Sequence, residues 1–253
     1  VHHYRDQWAK AFDVKYEDNS GEQKYVHQTT YGMSERLLGA TVATHGDDKG
    51  LIMPPSIAPI QVVIIPILSK DGSEEIMSAA NEMVKELKLE KIRVKLDDRD
   101  IRPGQKYYDW EIKGVPLRIE LGPRDLKSNS FMCARRTGQK SSYKLQELID
   151  SVRKELDLVN EHMKERSKSH FNQHIKKIPN VVINGSTISF EEKLEEGFVY
   201  EMAFEGNDAE AEMIEKETGF SLLGESTRPF SKKRKCTITG KTTHRRVFLA
   251  KTY

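Results

Sequence analysis

Cysteine is scarce in this sequence: two residues in 253, Cys133 and Cys236, far apart along the chain. A disulfide framework is therefore not expected, and a reducing cytoplasm is the expected compartment. Long apolar runs are lacking too. The strongest, IQVVIIPIL, is strand-sized and too short to span a bilayer, so no membrane partner is expected. Neither sign of charge prevails: 41 Lys and Arg stand against 39 Asp and Glu, a net charge of +2. Any nucleic-acid-binding surface must then be local. The opening VHHYRDQW has no signal-peptide pattern and no initiator Met, which suggests a fragment that has lost its front half.

What is present describes a charge-rich globular chain. Hydrophobic residues make up 37% and charged residues 32%, enough apolar material for real cores, and the length suggests two domains rather than one. FDVKYE, the turn DNSG and EQKYVHQTTY read as one β-hairpin over 12–31. Residues Leu37, Leu38, Thr41 or Val42, and His45 have helical spacing, with Ser34 as a possible cap, and HGDDKG ends that helix. IMPPSIAP is a Pro-rich connector and the best domain boundary. QVVIIPI reads as a buried central strand. A helix follows through Leu89, with Ile76, Met77, Ala80, Met83, Val84 and Leu87 on one face. KIRVKL and LRIEL are strands around a loop and short helix, GPRD is a turn, SFMCARR a strand, and Tyr143–Ser167 a long helix. This alternation predicts a mixed α/β domain. NVVINGSTISF is a strand pair or a helix start, DAEAEMIEKETG an acidic helix, and KTTHRRVFLAKTY a terminal strand. No internal repeat is visible.

Arg36 is the first residue that asks for chemistry. A guanidinium beside Leu37 and Leu38 reads as a buried charge, which needs an anion or an aromatic plane. It can stack on a base and reach phosphates, or form an internal salt bridge to Glu35, Asp47 or Asp48. His2, His3, His27 and His45 show no metal-site spacing among themselves. Asp47 and Asp48 read more readily as loop caps or partners of Lys49 than as cation ligands. In YYDWEIKGVPLRIELGPRDL, aromatics alternate with charge. Asp109 and Glu111 can accept from the amino and imino groups of a guanine, and Lys113 and Arg118 can donate to its O6 and N7 or to phosphate. The alternative is a solvated charged face with Trp110 as a core anchor. Cys236 lies in CTITGK, where Thr239 stands at the position a Cys-x-x-Cys ligand would need, so no metal is expected there. SKKRK reads as a solvated basic turn.

Taken in order, HHYRDQWAKAFDVKYED, QTTYGMSER, THGDDKGLIMPPSIAPIQVVIIPI, RPGQKYYDWEIKGVPLRIELGPRDL and FMCARR, with a C-terminal Tyr253, resemble the prolyl-tRNA synthetases of the archaeal and eukaryotic-like type. The resemblance covers essentially the whole chain. It implies three parts: residues 1–56 as the end of a class II catalytic domain with its antiparallel sheet, 57–168 as an α/β anticodon-binding domain with a mixed sheet, and 169–253 as a small α+β C-terminal domain. The first two class-defining motifs would lie upstream of Val1. Arg36 becomes the motif 3 arginine, stacking on adenine and facing the triphosphate, and Ser34 a further ATP contact. His2, Thr30, Tyr31 and Gly32 become residues of the proline pocket, with Tyr31 where the family commonly has Trp. The implied substrates are ATP with Mg²⁺, L-proline and tRNA(Pro), in an enzyme that works as a homodimer. The family's cysteine-rich zinc site is reduced here to Cys236, so zinc is not expected. The terminal carboxylate of Tyr253 would approach the active site. Rival readings are an isolated anticodon-binding module without catalysis, and another class II synthetase such as the threonyl, histidyl or glycyl enzyme.

Overall fold

A computed structural model of the chain describes residues 2–68, 72–179, 181–184, 187–236 and 238–252. Tyr253 lies outside the described residues. The chain divides into two compact units, Val1–Met163 and Lys164–Tyr253.

The first unit begins with short antiparallel pairs. Strand β1 (His2–Arg5) is followed by helix α1 (Gln7–Ala11), β2 (Lys15–Glu17), β3 (Gln23–Tyr25) and β4 (Gln28–Thr30). The single hairpin read over 12–31 is in fact divided. β2 pairs with β3, whereas β4 leaves that hairpin and pairs with β1, setting His2 opposite Thr30. Helix α2 (Arg36–His45) buries none of its residues. Its N-cap is Glu35 rather than Ser34, whose carbonyl instead accepts from the Leu37 amide at 3.0 Å.

The rest of this unit is a five-stranded sheet of order β6-β5-β7-β8-β9. β5 (Val62–Pro66) is buried throughout and runs parallel to both β6 (Val94–Leu96) and β7 (Leu117–Leu121). β8 (Ser130–Arg135) and β9 (Lys140–Lys144) add antiparallel strands. A strand apolar on both faces needs cover on both. On one face Val62 and Ile64 meet α3 (Ser73–Leu89) through Ile76, Ala80, Met83 and Leu87, together with Leu148, Val152 and Leu156 of α6 (Leu148–Gln173). On the other, Val63 and Ile65 meet Trp110 of α4 (Pro103–Ile112) and Val115. GPRD opens a short helix, α5 (Pro123–Lys127), in place of the expected turn; the Asp125 carboxylate accepts from the Gly122 amide at 2.9 Å. The long helix begins at Leu148, later than expected, because Tyr143 already belongs to β9.

The Pro-rich segment is fastened rather than loose. Arg93 donates from Nε to the Ala58 carbonyl at 2.7 Å and from Nη2 to the Pro55 carbonyl at 2.8 Å.

The second unit holds a four-stranded sheet. Its strands are β10 (Ile175–Lys177), β13 (Val199–Ala203), β14 (Ser221–Glu225) and β17 (Arg246–Ala250), in the order β10-β13-β17-β14. β11 (Val181–Asn184) and β12 (Thr187–Phe190) form the strand pair that was one of the two readings of NVVINGSTISF. Helix α7 (Asp208–Thr218) starts on a capping box between Asn207 and Glu210 and stops at Gly219, in the left-handed conformation. β15 (Arg234–Lys235) and β16 (Thr242–Thr243) make a small ribbon beside Cys236.

Candidate nucleic-acid interface

Helix α4 starts with Pro103 in its first turn and ends as its chain turns through Gly114, at φ +71. Its inner side carries Trp110, which is both core and polar anchor. The indole Nε1 donates to Asp97 Oδ2 at 2.7 Å. Arg99 forks onto the same carboxylate through Nε and Nη2, each at 2.8 Å, and its Nη1 reaches Asp109 Oδ2 at 2.9 Å. Gln105 donates to the other Asp109 oxygen at 2.8 Å. Burial pushes the Asp97 carboxyl up, but the hydrogen bonds from Arg99 and Trp110 outweigh it and hold the pKa at about 2. Gln105 first, then Arg99, keep Asp109 below the ordinary carboxylate range.

Arg118 projects from β7 into a second network. Its Nε donates to Glu120 at 3.0 Å, its Nη1 to Glu111 at 3.3 Å, and its guanidinium lies 4.0 Å from the Tyr107 ring centroid. Lys140 of β9 donates to both Glu120 oxygens, at 3.0 and 3.2 Å. Burial, and next the Glu120 carboxylate, push the Tyr107 phenol up to about 12. Lys113 is different: its Nζ sits 4.6 Å from the Trp110 ring centroid, and it makes no ion pair among the described residues.

The chain thus gathers Asp109, Glu111, Lys113 and Arg118 at the end of one helix and on the strand beside it. Paired carboxylates, an unpaired ammonium and two aromatic rings are the groups that recognise single-stranded bases by edge hydrogen bonds and stacking. Trp110 is indeed a core anchor, packed against Val63, Ile65 and Val115.

His2, Thr30, Tyr31, Gly32, Ser34 and Arg36 lie elsewhere in the same unit. His2 and Thr30 are cross-strand partners, Tyr31 and Gly32 follow directly, and Arg36 opens α2. The expectation of a buried guanidinium is corrected: Arg36 is exposed, as are Leu37 and Leu38. Asp47 does not serve it, because that carboxylate pairs with Arg136. Among the described residues Arg36 has no ion pair.

Sequence reasoning missed several groups. Asp97, Arg99, Glu120 and Lys140 meet partners brought near by the fold, and Arg136 meets Asp47 across 89 positions. His170 and His174 do have helical metal-ligand spacing, with ring centroids 4.0 Å apart, but His174 Nδ1 contacts the His170 carbonyl at 2.7 Å. Among the described residues no three His, Cys, Asp or Glu side chains come together to hold a metal ion. The loop after Cys236 is closed by hydrogen bonds: the Thr239 amide donates to Sγ at 3.4 Å and its hydroxyl to the Glu205 carbonyl at 3.2 Å. No helix among the described residues is long and apolar enough to cross a membrane.

Comparison with known proteins accords with this geometry. The family described as "Anticodon binding domain" matches residues 61–155, the span of the five-stranded sheet and its helices. Over the whole chain, the Proline--tRNA ligase of Thermococcus kodakarensis is 42% identical and that of Methanosarcina mazei 44% identical. The chain covers 53% and 52% of those two proteins. Among solved structures, Giardia lamblia prolyl-tRNA synthetase in complex with prolyl-adenylate superposes with a TM-score of 0.86 at 27% identity, over all of this chain and 55% of that one. Residues 61–155 thus carry the match to an anticodon-binding domain. Over its whole length the chain is similar to prolyl-tRNA synthetases, and it spans about half the length of the curated relatives it matches.

Proposed function

We propose that this chain is the C-terminal portion of a proline–tRNA ligase, which activates L-proline with ATP to prolyl-adenylate and transfers the prolyl group to tRNA(Pro). The observation that carries the reading is similarity to such ligases over the whole chain, both compact units included. In this reading residues 1–56 end the class II catalytic domain, 57–168 read the anticodon and 169–253 form the C-terminal domain. Residues 1–56 supply Arg36 and Ser34 to ATP and His2, Thr30, Tyr31 and Gly32 to the proline pocket. Among the described residues Arg36 makes no ion pair, which suits a guanidinium that stacks on adenine and offsets charge on the transferring phosphoryl group. It acts as an electrostatic clamp and moves no proton. Asp109, Glu111, Lys113 and Arg118 hold the anticodon bases, so the reacting ends are fixed in place by contacts remote from the chemistry.

Mg²⁺ enters with the phosphates of ATP; Asp47 is committed to Arg136 and does not suit it as a ligand, and no step is drawn through the metal. Among the described residues no set of His, Cys, Asp or Glu ligands for zinc forms around Cys236. The full enzyme is placed in the cytoplasm as a homodimer. A non-catalytic anticodon-binding module is the second reading, favoured by the match of the family to 61–155 alone.

ATP–pyrophosphate exchange on the full-length gene product decides between them. Exchange that depends on proline supports the ligase; exchange with threonine, histidine or glycine instead, or none, removes it. Arg36→Ala should abolish exchange and spare tRNA binding, and equal loss of both would remove its assigned role.

A further inference from the structure

The loop between α2 and β5 is fastened to the end of α4 more firmly than a connector requires. The Leu51 amide donates to the Ile112 carbonyl and the Met53 amide to the Gly114 carbonyl, both at 3.1 Å. Gly50, at φ +121, lies so close that a Cβ would stand 2.7 Å from Ile112 Cα, and one on Gly114 would stand 2.6 Å from the Leu51 carbonyl oxygen. Arg136, its side chain 2% exposed, crosses the junction. Both its Nη atoms bond Asp47, one at 2.9 Å, while Nη2 also reaches the Gly50 carbonyl at 3.2 Å and Nε the Glu111 carbonyl at 3.0 Å. The carbonyls of Glu111 and Ile112 belong to the last turn of α4, where a helix leaves acceptors without internal partners. The Leu51 amide supplies Ile112, and Arg136 adds a second donor to the Glu111 carbonyl, which also accepts from the Gly114 amide at 3.0 Å.

What the clamp joins gives it meaning. On one side stand Lys113 and Glu111, whose carboxylate holds Arg118. On the other, Asp47 follows the end of α2 by two residues, and α2 buries none of its own side chains. Resting on the function proposed above, we propose that Arg136 and Asp47 are positioning residues that hold α2, and with it Arg36, in fixed register to the tRNA-reading end of α4. A two-pronged arginine–carboxylate contact fixes orientation as well as distance, which a lysine at Arg136 does not reproduce.

The test uses the full-length enzyme with Asp47→Asn and Arg136→Lys. Asp47 is one-third exposed, so its variant guards against a simple failure to fold; Asp47→Glu serves as the conservative rescue. Hydrogen–deuterium exchange over residues 36–53 should quicken in Asp47→Asn and Arg136→Lys but not in a peptide from α3. The kcat of proline-dependent pyrophosphate exchange should fall about tenfold to a hundredfold, the scale expected when a charged group is misplaced by about an ångström. The Kd for tRNA should stay within about twofold, since the proposed anticodon contacts lie on the α4 side of the clamp. Asp47→Glu should recover part of kcat. Unchanged deuterium exchange over 36–53, or a loss in tRNA affinity matching the loss in kcat, overturns the proposal. If the wild-type enzyme shows no proline-dependent exchange, the functional reading fails, and the deuterium data alone then decide whether the clamp orders α2.

Discussion

Asp97→Asn isolates one charge, because the amide keeps an acceptor for Trp110 and loses only what faces Arg99. A carboxyl whose ordinary value is 3.8, held at about 2, has its ionised form stabilised by roughly 2 kcal/mol, at about 1.4 kcal/mol per pKa unit. Arg99 is 45% exposed, so solvent screens the pair and the expected loss at pH 7 is about 1–2 kcal/mol. The sign follows from the depressed folded-state pKa. The contribution is complete above the unfolded value of 3.8, falls as pH drops toward about 2, and is roughly halved at pH 3. Urea unfolding followed by tryptophan fluorescence measures it. A Trp8→Phe background leaves Trp110 as the reporter, since the chain has two tryptophans. Asp97→Ala should cost about 1–3 kcal/mol more, because it leaves the buried indole N–H without an acceptor. An unchanged midpoint at pH 7 for Asp97→Asn, or a deficit as large at pH 3 as at pH 7, would refute the assignment of Asp97 as the charged anchor of α4.

Two further outcomes are expected. Gly50→Ala should lower the melting temperature by an amount equivalent to about 1–3 kcal/mol, from left-handed strain and the close approach to Ile112. Gly21→Ala, also at positive φ but with nothing within 4 Å of the added Cβ, should cost less, and an equal loss would show that packing against α4 contributes nothing. Lys113→Ala should leave stability within about 0.5 kcal/mol and slow tRNA charging while sparing proline-dependent exchange; a normal charging rate removes Lys113 from the anticodon site.

Local pattern made much of this fold legible. The helical spacing of Ile76, Ala80, Met83 and Leu87 and the unbroken apolar run of β5 both name their buried faces. What stayed hidden depends on partners. The alternation over 12–31 reads as one hairpin because side-chain period says nothing of pairing, yet the Val26 amide turns back to Val14 and the next strand joins β1. Arg36 among leucines reads as a buried charge because spacing reports an apolar face without reporting what covers it. The Asp47–Arg136 contact has no sequence signal at all.

The charged face shows the same limit, and there it bears on mechanism. Residue type nominated Arg118 and Lys113 equally, yet their circumstances differ. Arg118 already has Glu111, Glu120 and the Tyr107 ring, so on the proposed reading any contact it makes with RNA exchanges one set of charge-assisted bonds for another and gains only the difference. Leaving Glu120 is eased because Lys140 remains there; leaving Glu111 frees a carboxylate for a guanine's amino and imino groups, so the two residues would engage a base together. Lys113 gives up less: an aromatic contact, worth about 0.5–1 kcal/mol at an exposed site, and a charge attraction to Asp109 with no ion pair among the described residues. Phosphate attraction should therefore enter through Lys113, and base discrimination through the exchange at Arg118 and Glu111, where a wrong base leaves a desolvated charge unpaired.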